Sequence, residues 1–254
     1  MLLLVALSAC ESSMHEPPPI KTLASNAVHD GRGADELVRA ADAAWSRRGE
    51  RGQAEAAQDA YLGAAAIAQQ RTDALLGAMR AIHYRVETED GIAKGALTHE
   101  GVQIGQWCMR LSPRDAACMY RLAIALGQEA REHPLEAKDA LDHMIALLHE
   151  AIAIDPTIDA SGPHRVLALV LVRAPSWPGP GDAELGLDEA RAAVVATPDA
   201  AENQLALAEA LAANGSAAEA QDAYRRAAAL AESLRDPEAV AWRSQARAAL
   251  ASAR

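Results

Sequence analysis

A chain of 254 residues can bury a sizeable core, either as one extended domain or as two compact ones. Half of it is hydrophobic, yet aromatics make up only 3% and Phe is absent. Small apolar residues of that kind suit closely packed helices better than a β-sandwich, so the fold class is all-α. The net charge of -11 repels phosphate backbones and argues against nucleic acid as a partner.

The chain opens MLLLVALSAC. The apolar run from Leu2 to Leu7 is too short to span a bilayer, but it matches the core of an export signal ending in small residues. Leu7-Ser8-Ala9-Cys10 resembles the bacterial lipobox. That resemblance makes residues 1–10 a lipoprotein signal segment and Cys10 the lipidated residue that holds the protein on a membrane. No Lys or Arg precedes the run, which departs from the usual signal; the alternative is a hydrophobic N-terminus with an unmodified thiol. Residues 11–33 are rich in Ser, Pro and Glu without periodicity and read as a flexible tether. A helical repeat domain is expected over 34–254.

From Ala34 the pattern is one of paired helices. Ala57, Tyr61 and Ala64 set a small–large–small spacing, with Trp45 on the helix before. Gly101, Gly105 and Cys108 follow the same frame, and Pro113 comes five residues later. Ala151 with Pro156, and Ala193 with Pro198, continue it. In 201–232 a stripe of Leu205, Leu207 and Leu211 runs into a turn at Asn214-Gly215, and Ala220, Tyr224 and Ala227 then carry the full spacing. Small residues let paired helices approach, while the ring fills the space between successive pairs; this stretch resembles a tetratricopeptide (TPR) repeat.

Five helix pairs are expected, over about 34–70, 73–112, 115–155, 159–197 and 201–232, closed by a helix from about 237 to 252. Together they form a TPR-like α-solenoid. In the closing helix, Val240 and Leu250 are placed to cover the end of the stack, with Arg243 and Arg247 on another side. The breaks at Pro113, Pro156 and Pro198 lie 43 and 42 residues apart, against about 34 in an ordinary TPR. Extra residues are therefore expected between helices, around His133-Pro134 and in RAPSWPGPGDAE, residues 173–184. Cys108 and Cys118 flank the turn at Ser112-Pro113. An oxidising compartment invites a disulfide between them; two buried thiols are the alternative.

No Gly-rich phosphate loop, nucleophile elbow or HExxH helix is present in the sequence, so no enzyme, cofactor or metal site is expected. His143 and His149, six apart, fall on different faces of one helix, and His83, His99 and His133 read as solvated or satisfied surface residues.

The fourth pair is unusual. Its first helix begins at Gly162-Pro163 and is apolar without interruption from Val166 to Val172. Such a helix is either covered on several sides or borders an apolar cavity. Arg165 stands in its first turn, where a cation opposes the helix dipole, so it calls for a carboxylate or ligand anion to face. In the loop that follows, prolines and glycines fix a path around Trp177, which either sits at a mouth or partner surface or plugs a gap between pairs. Asp182 is placed to cap the next helix.

The run GPHRVL, a hydrophobic helix, APSWPGPGD and a closing TPR together resemble the T component of tripartite ATP-independent periplasmic (TRAP) transporters, the TatT family. The matching residues are Gly162, Pro163, Arg165, Leu167, Pro175, Gly181 and Asp182. The resemblance implies a periplasmic TPR-like protein, lipid-anchored to a bacterial membrane with the outer one expected. It further implies docking to a periplasmic solute-binding protein, a channel or cleft that binds or passes an apolar or carboxylate-bearing small-molecule ligand, and self-association as a trimer. Gly162, His164, Arg165, Arg173, Trp177 and Asp182 become candidate ligand- or partner-binding residues. A reading from another class is a scaffold for envelope assembly whose groove grips peptides. An enclosed apolar tunnel beside Val166–Val172 would favour transport; an open concave face lined by Asn, Lys and Arg would favour peptide binding.

Overall fold

The computed structural model describes residues 15–25, 31–134, 137–176 and 179–252, which form twelve helices and no strand. A short α1 (Ile20–Leu23) precedes five antiparallel pairs. These are α2 (Ala34–Trp45) with α3 (Gln53–Ile67), α4 (Thr72–Thr88) with α5 (Lys94–Leu111), α6 (Ala116–Glu132) with α7 (Ala137–Ile154), α8 (Ile158–Arg173) with α9 (Ala183–Ala196), and α10 (Ala201–Ala213) with α11 (Ala217–Glu232). The closing helix is α12 (Pro237–Ser252). Each pair and the closing helix stand within a few residues of the span that the apolar spacing predicts, whereas α1 lies in the stretch expected to be a tether.

The repeat frame works through close approach. Ala57 and Ala64 are fully buried beside Tyr61, and Gly77 on α4 leaves room for that ring, because a Cβ there would lie 2.6 Å from it. In the last pair, Ala220 and Ala227 are buried around Tyr224, and Gly215, at φ +79, makes the turn a side chain would strain. The expected surplus around His133-Pro134 is placed differently. Only four residues join α6 to α7, and the extra length lies in the helices themselves, 17 and 18 residues against 13 in α10. In the fourth pair the surplus does form a connection, between Arg173 and Ala183.

The even-numbered helices pack on one another in sequence, α2 on α4, α4 on α6, α6 on α8, α8 on α10 and α10 on α12. The odd-numbered helices of the pairs pack on their even-numbered neighbours and not on one another, and α3 and α5 also carry α1. Two layers result, with the even-numbered helices on the inner, concave side. One continuous core runs from α1 to α8, and smaller clusters carry it through α12.

Three features tie this solenoid together. Cys108 and Cys118 are joined by a disulfide, with Cα atoms 5.5 Å apart, which closes the pairing that the sequence leaves open. Residues 18–24, within the stretch expected to be a tether, lie across α3 and α5 of the first two pairs: Trp107 Nε1 donates to the Pro18 carbonyl at 2.7 Å, and Ile20 and Ala24 are buried. At the other end, α12 covers the stack through Ala239, Trp242 and Ala246. Val240, expected in that role, is 59% exposed, because alanines allow a closer seat on α10 and α11 than a branched side chain would. Arg243 and Arg247 pair with Glu232.

The two ends of the chain also meet. Arg48, in the turn after α2, is ion-paired with Asp236 and with Glu238 at the start of α12. The Gly49 backbone lies close enough to Pro237 that an added Cβ would stand 3.1 Å from its ring. The solenoid thus closes on itself around its concave face.

Candidate functional site

Beside that closure lies a partly open cavity of about 700 Å³, lined mainly by the inner helices with Ala137, Leu141 and Met144 of α7. Its wall on the α8 side is built by an unusual backbone. Asp159, Ala160 and Ser161 all adopt left-handed conformations, at φ 51, 54 and 66, and the right-handed helix proper starts at Gly162-Pro163. A left-handed L-residue costs about 1–2 kcal/mol, so such a run persists only where its surroundings hold it. Arg165 Nη1 donates to the carbonyls of Asp159 and Ala160, at 3.2 and 3.4 Å. Fully buried Asn203 donates to Ala160 O at 2.8 Å, and Ser161 Oγ lies 2.9 Å from Thr197 Oγ1.

The turn points the Asp159 carboxylate at Tyr120, whose hydroxyl donates to it at 2.8 Å, while Arg121 and Arg165 each stand 3.5 Å away. Burial pushes this carboxyl up, but the two guanidiniums and the phenol outweigh that and hold it below the ordinary Asp range. Burial also drives the Tyr120 phenol up to about 12, with Arg165 opposing and Asp159 adding to the rise. Arg165 is likewise depressed by burial yet held above its usual range by Tyr120, Asp159 and Glu202. The cluster is neutral overall and internally satisfied.

The unbroken apolar run of α8 divides between two environments. Leu167, Ala168 and Leu171 are buried against neighbouring helices, whereas Val166, Leu169 and Val170 face the cavity. The void is not the apolar tunnel set against the peptide groove. Six arginines line it together with five carboxylates, against a net charge of -11 for the whole chain. Five of those arginines carry ion pairs: Arg48 with Asp236 and Glu238, Arg121 with Asp159, Arg131 with Glu87, Arg165 with Asp159, and Arg173 with Glu209.

Arg80 is the sixth. Among the described residues no carboxylate pairs with it; its Nη2 donates to Tyr61 Oη at 3.2 Å, and Tyr61 in turn donates to Asp42 at 2.5 Å. Its guanidinium lies 4.4 Å from the centre of the Trp45 ring, which Arg48 also approaches at 4.5 Å. Tyr84 meets Trp45 edge-on at 5.7 Å. One turn on from Arg80, His83 is half-buried in the wall and borders the void, so it is neither the solvated nor the satisfied surface residue that the sequence suggests. Its Nδ1 is buried without a hydrogen-bond partner among the described residues, as is Arg80 Nε. Burial pulls the imidazole down to about 4, with Glu87 opposing and Arg121 adding to the fall, so the ring is neutral at pH 7.

The sequence-derived candidates fall into different places. Arg165 and Arg173 line the cavity, both engaged; Arg173 grips Glu209 through two nitrogens at 2.9 and 2.8 Å. Gly162 is buried beneath the Tyr120 hydroxyl, which an added Cβ would approach to 2.3 Å. His164 points between helices to Glu189, 2.6 Å away, and is absent from the cavity wall. Asp182 caps α9 by accepting from Leu185 N at 3.0 Å, a positioning role. Trp177 and Cys10 lie outside the described residues. Sequence reasoning missed Arg80, His83, Tyr120 and Asp159. The available signal was their place on the first helix of a pair, or just before it, since those helices line the concave side.

Chemically the wall offers donors, aromatic faces and an apolar stripe, which together suit binding. Among the described residues, no trio of His, Cys, Asp or Glu side chains is placed to hold a metal. None of the described helices is long and apolar enough to cross a membrane.

No family model and no curated protein matches the chain. Solved structures do. A thermophilic TPR protein of Thermus thermophilus, TTC0263, is 19% identical with a TM-score of 0.65, covering 86% of this chain and 100% of its own. The MamA protein is 16% identical at 0.48, covering 78% and 92%. Yeast Tom70 is 10% identical at 0.34, covering 93% and 70%. The likeness to the Thermus protein, together with the paired helices, shows a TPR-like fold.

Proposed function

We propose that this chain is a non-enzymatic, lipid-anchored periplasmic TPR protein that docks a solute-binding protein and holds a small ligand for TRAP-type transport. The observation that carries the reading is the cavity of about 700 Å³, a size that suits a small molecule, with the α8 stripe of Val166, Leu169 and Val170 on its wall. The sequence run from Gly162 to Asp182 supplies the resemblance to the T component. With lipid on Cys10, the solenoid sits on a short leash, since Pro18 is already docked and eight residues of chain reach at most about 28 Å. The test is gentle crosslinking of the tagged protein in intact cells, followed by membrane solubilisation and identification of what co-purifies. A periplasmic solute-binding protein should be recovered; its absence under those conditions rejects the docking role.

The scaffold reading has one observation in its favour, a concave face lined by arginines where transport called for an apolar tunnel. Recovery of envelope-assembly proteins in place of a solute-binding protein would select it.

A further inference from the structure

The cavity wall is not uniform in what it leaves unsatisfied. Tyr120, Asp159, Arg121 and Arg165 use one another, and Arg173 is taken by Glu209. On α4 the position is reversed. Arg80 is a cavity cation with no carboxylate of its own among the described residues, and its guanidinium lies over the Trp45 ring, 4.4 Å from the centre. His83, three residues on and therefore on the same helix face, keeps a buried Nδ1 with no partner. Arg48 Nε is also unpartnered, but its terminal nitrogens are already neutralised by Asp236 and Glu238. Arg80 Nε is a buried donor without an acceptor among the described residues, and His83 Nδ1 is a second in the tautomer that carries its proton there; such a donor is a standing cost, which a ligand oxygen offsets. A planar guanidinium fixed by stacking presents its fork to a carboxylate with little further loss of side-chain freedom. Val166, Leu169 and Val170 of α8 supply an apolar surface in the same cavity.

The geometry points to Arg80, seconded by His83, as the seat of the anionic end of a small organic acid whose apolar body lies along α8. This moves the charged contact away from Arg165 and Arg173, where the sequence places it. The inference rests on the reading of the cavity as a small-molecule site and is independent of whether a solute-binding protein docks. A free small molecule is favoured over the C-terminus of a partner chain because the contact of Arg48 with Asp236 and Glu238 closes the concave face that an extended peptide would run through.

The probes are octanoate, octanol and a free-acid hexapeptide of acidic sequence, titrated calorimetrically into the wild-type chain. Octanoate should bind about tenfold or more tightly than octanol. Arg80→Gln should abolish that preference with octanol unchanged, Arg80→Lys should restore part of it, and Arg173→Gln should retain it. Equal binding of the two probes to the wild type, or a preference that survives Arg80→Gln, overturns the assignment while leaving the cavity a ligand site. Binding of neither overturns both readings. Binding of the peptide in place of octanoate overturns the small-molecule assignment. Equal binding of the two probes to the wild type overturns the assignment even where Arg80→Gln unfolds in a thermal melt, and Arg80→Met, which keeps an apolar stem against Trp45, then tests the residue: a preference that survives it overturns the assignment.

Discussion

His83 shows how one residue's surroundings become a measurable property of the whole chain. Its folded pKa lies near 4, well below 6.5, because burial disfavours the imidazolium, and it is faced by Glu87, Arg121, Asp159 and Arg131. Between those values the unfolded chain takes up a proton that the folded chain refuses. The contribution is therefore complete above pH 6.5 and is lost as the pH falls towards 4, at up to about 1.4 kcal/mol per pH unit. His83→Gln should remove that component, so the gap between wild-type and variant unfolding free energies in urea should change with pH across this window; a pH-independent gap would reject it. Local rules read some residues well. A cation in the first turn of α8 needed an acid to face, and Arg165 has Asp159 and Glu202. They misread His83, because nothing in its neighbours along the chain tells that α4 forms part of a concave wall.

At the scale of elements, the helix spans were legible because apolar spacing, small residues and Pro breaks all agree on them. The left-handed turn was not. Asp159-Ala160-Ser161 contains no glycine, so local preference gives no warning, and the turn is held by Arg165 and Asn203, the latter 43 residues from Ala160. Its exit depends on Gly162 passing under Tyr120, which is almost fully buried and bonded to Asp159. Gly162→Ala should therefore cost about 1–3 kcal/mol of stability, read from urea unfolding, because neither partner has room to yield. A loss below about 0.5 kcal/mol would mean that Tyr120 is free to move. The α8 stripe divides between the two environments that the sequence left open, and four of the six arginines that share its void, Arg48, Arg80, Arg121 and Arg131, come from other pairs and could not be assembled from one helix.

For the whole molecule, the decisive contact joins residues 188 apart, Arg48 and Asp236, and no local pattern announces it. Burial, with Asp236 adding to it, pushes the neighbouring Glu238 carboxyl up, while Arg48 opposes the rise. Arg48→Gln removes the cation that holds both acids and should let the solenoid open, seen as a larger radius of gyration in small-angle scattering with unchanged helix content; an unchanged radius would show that Gly49 and Pro237 suffice. A linear repeat array frays from its ends, because each unit touches only its neighbours. Here the first and last units brace each other, so neither terminus is a free starting point for melting. The intact chain should lose its structure in a single sharp transition, and a broken clasp should return it to unit-by-unit decay.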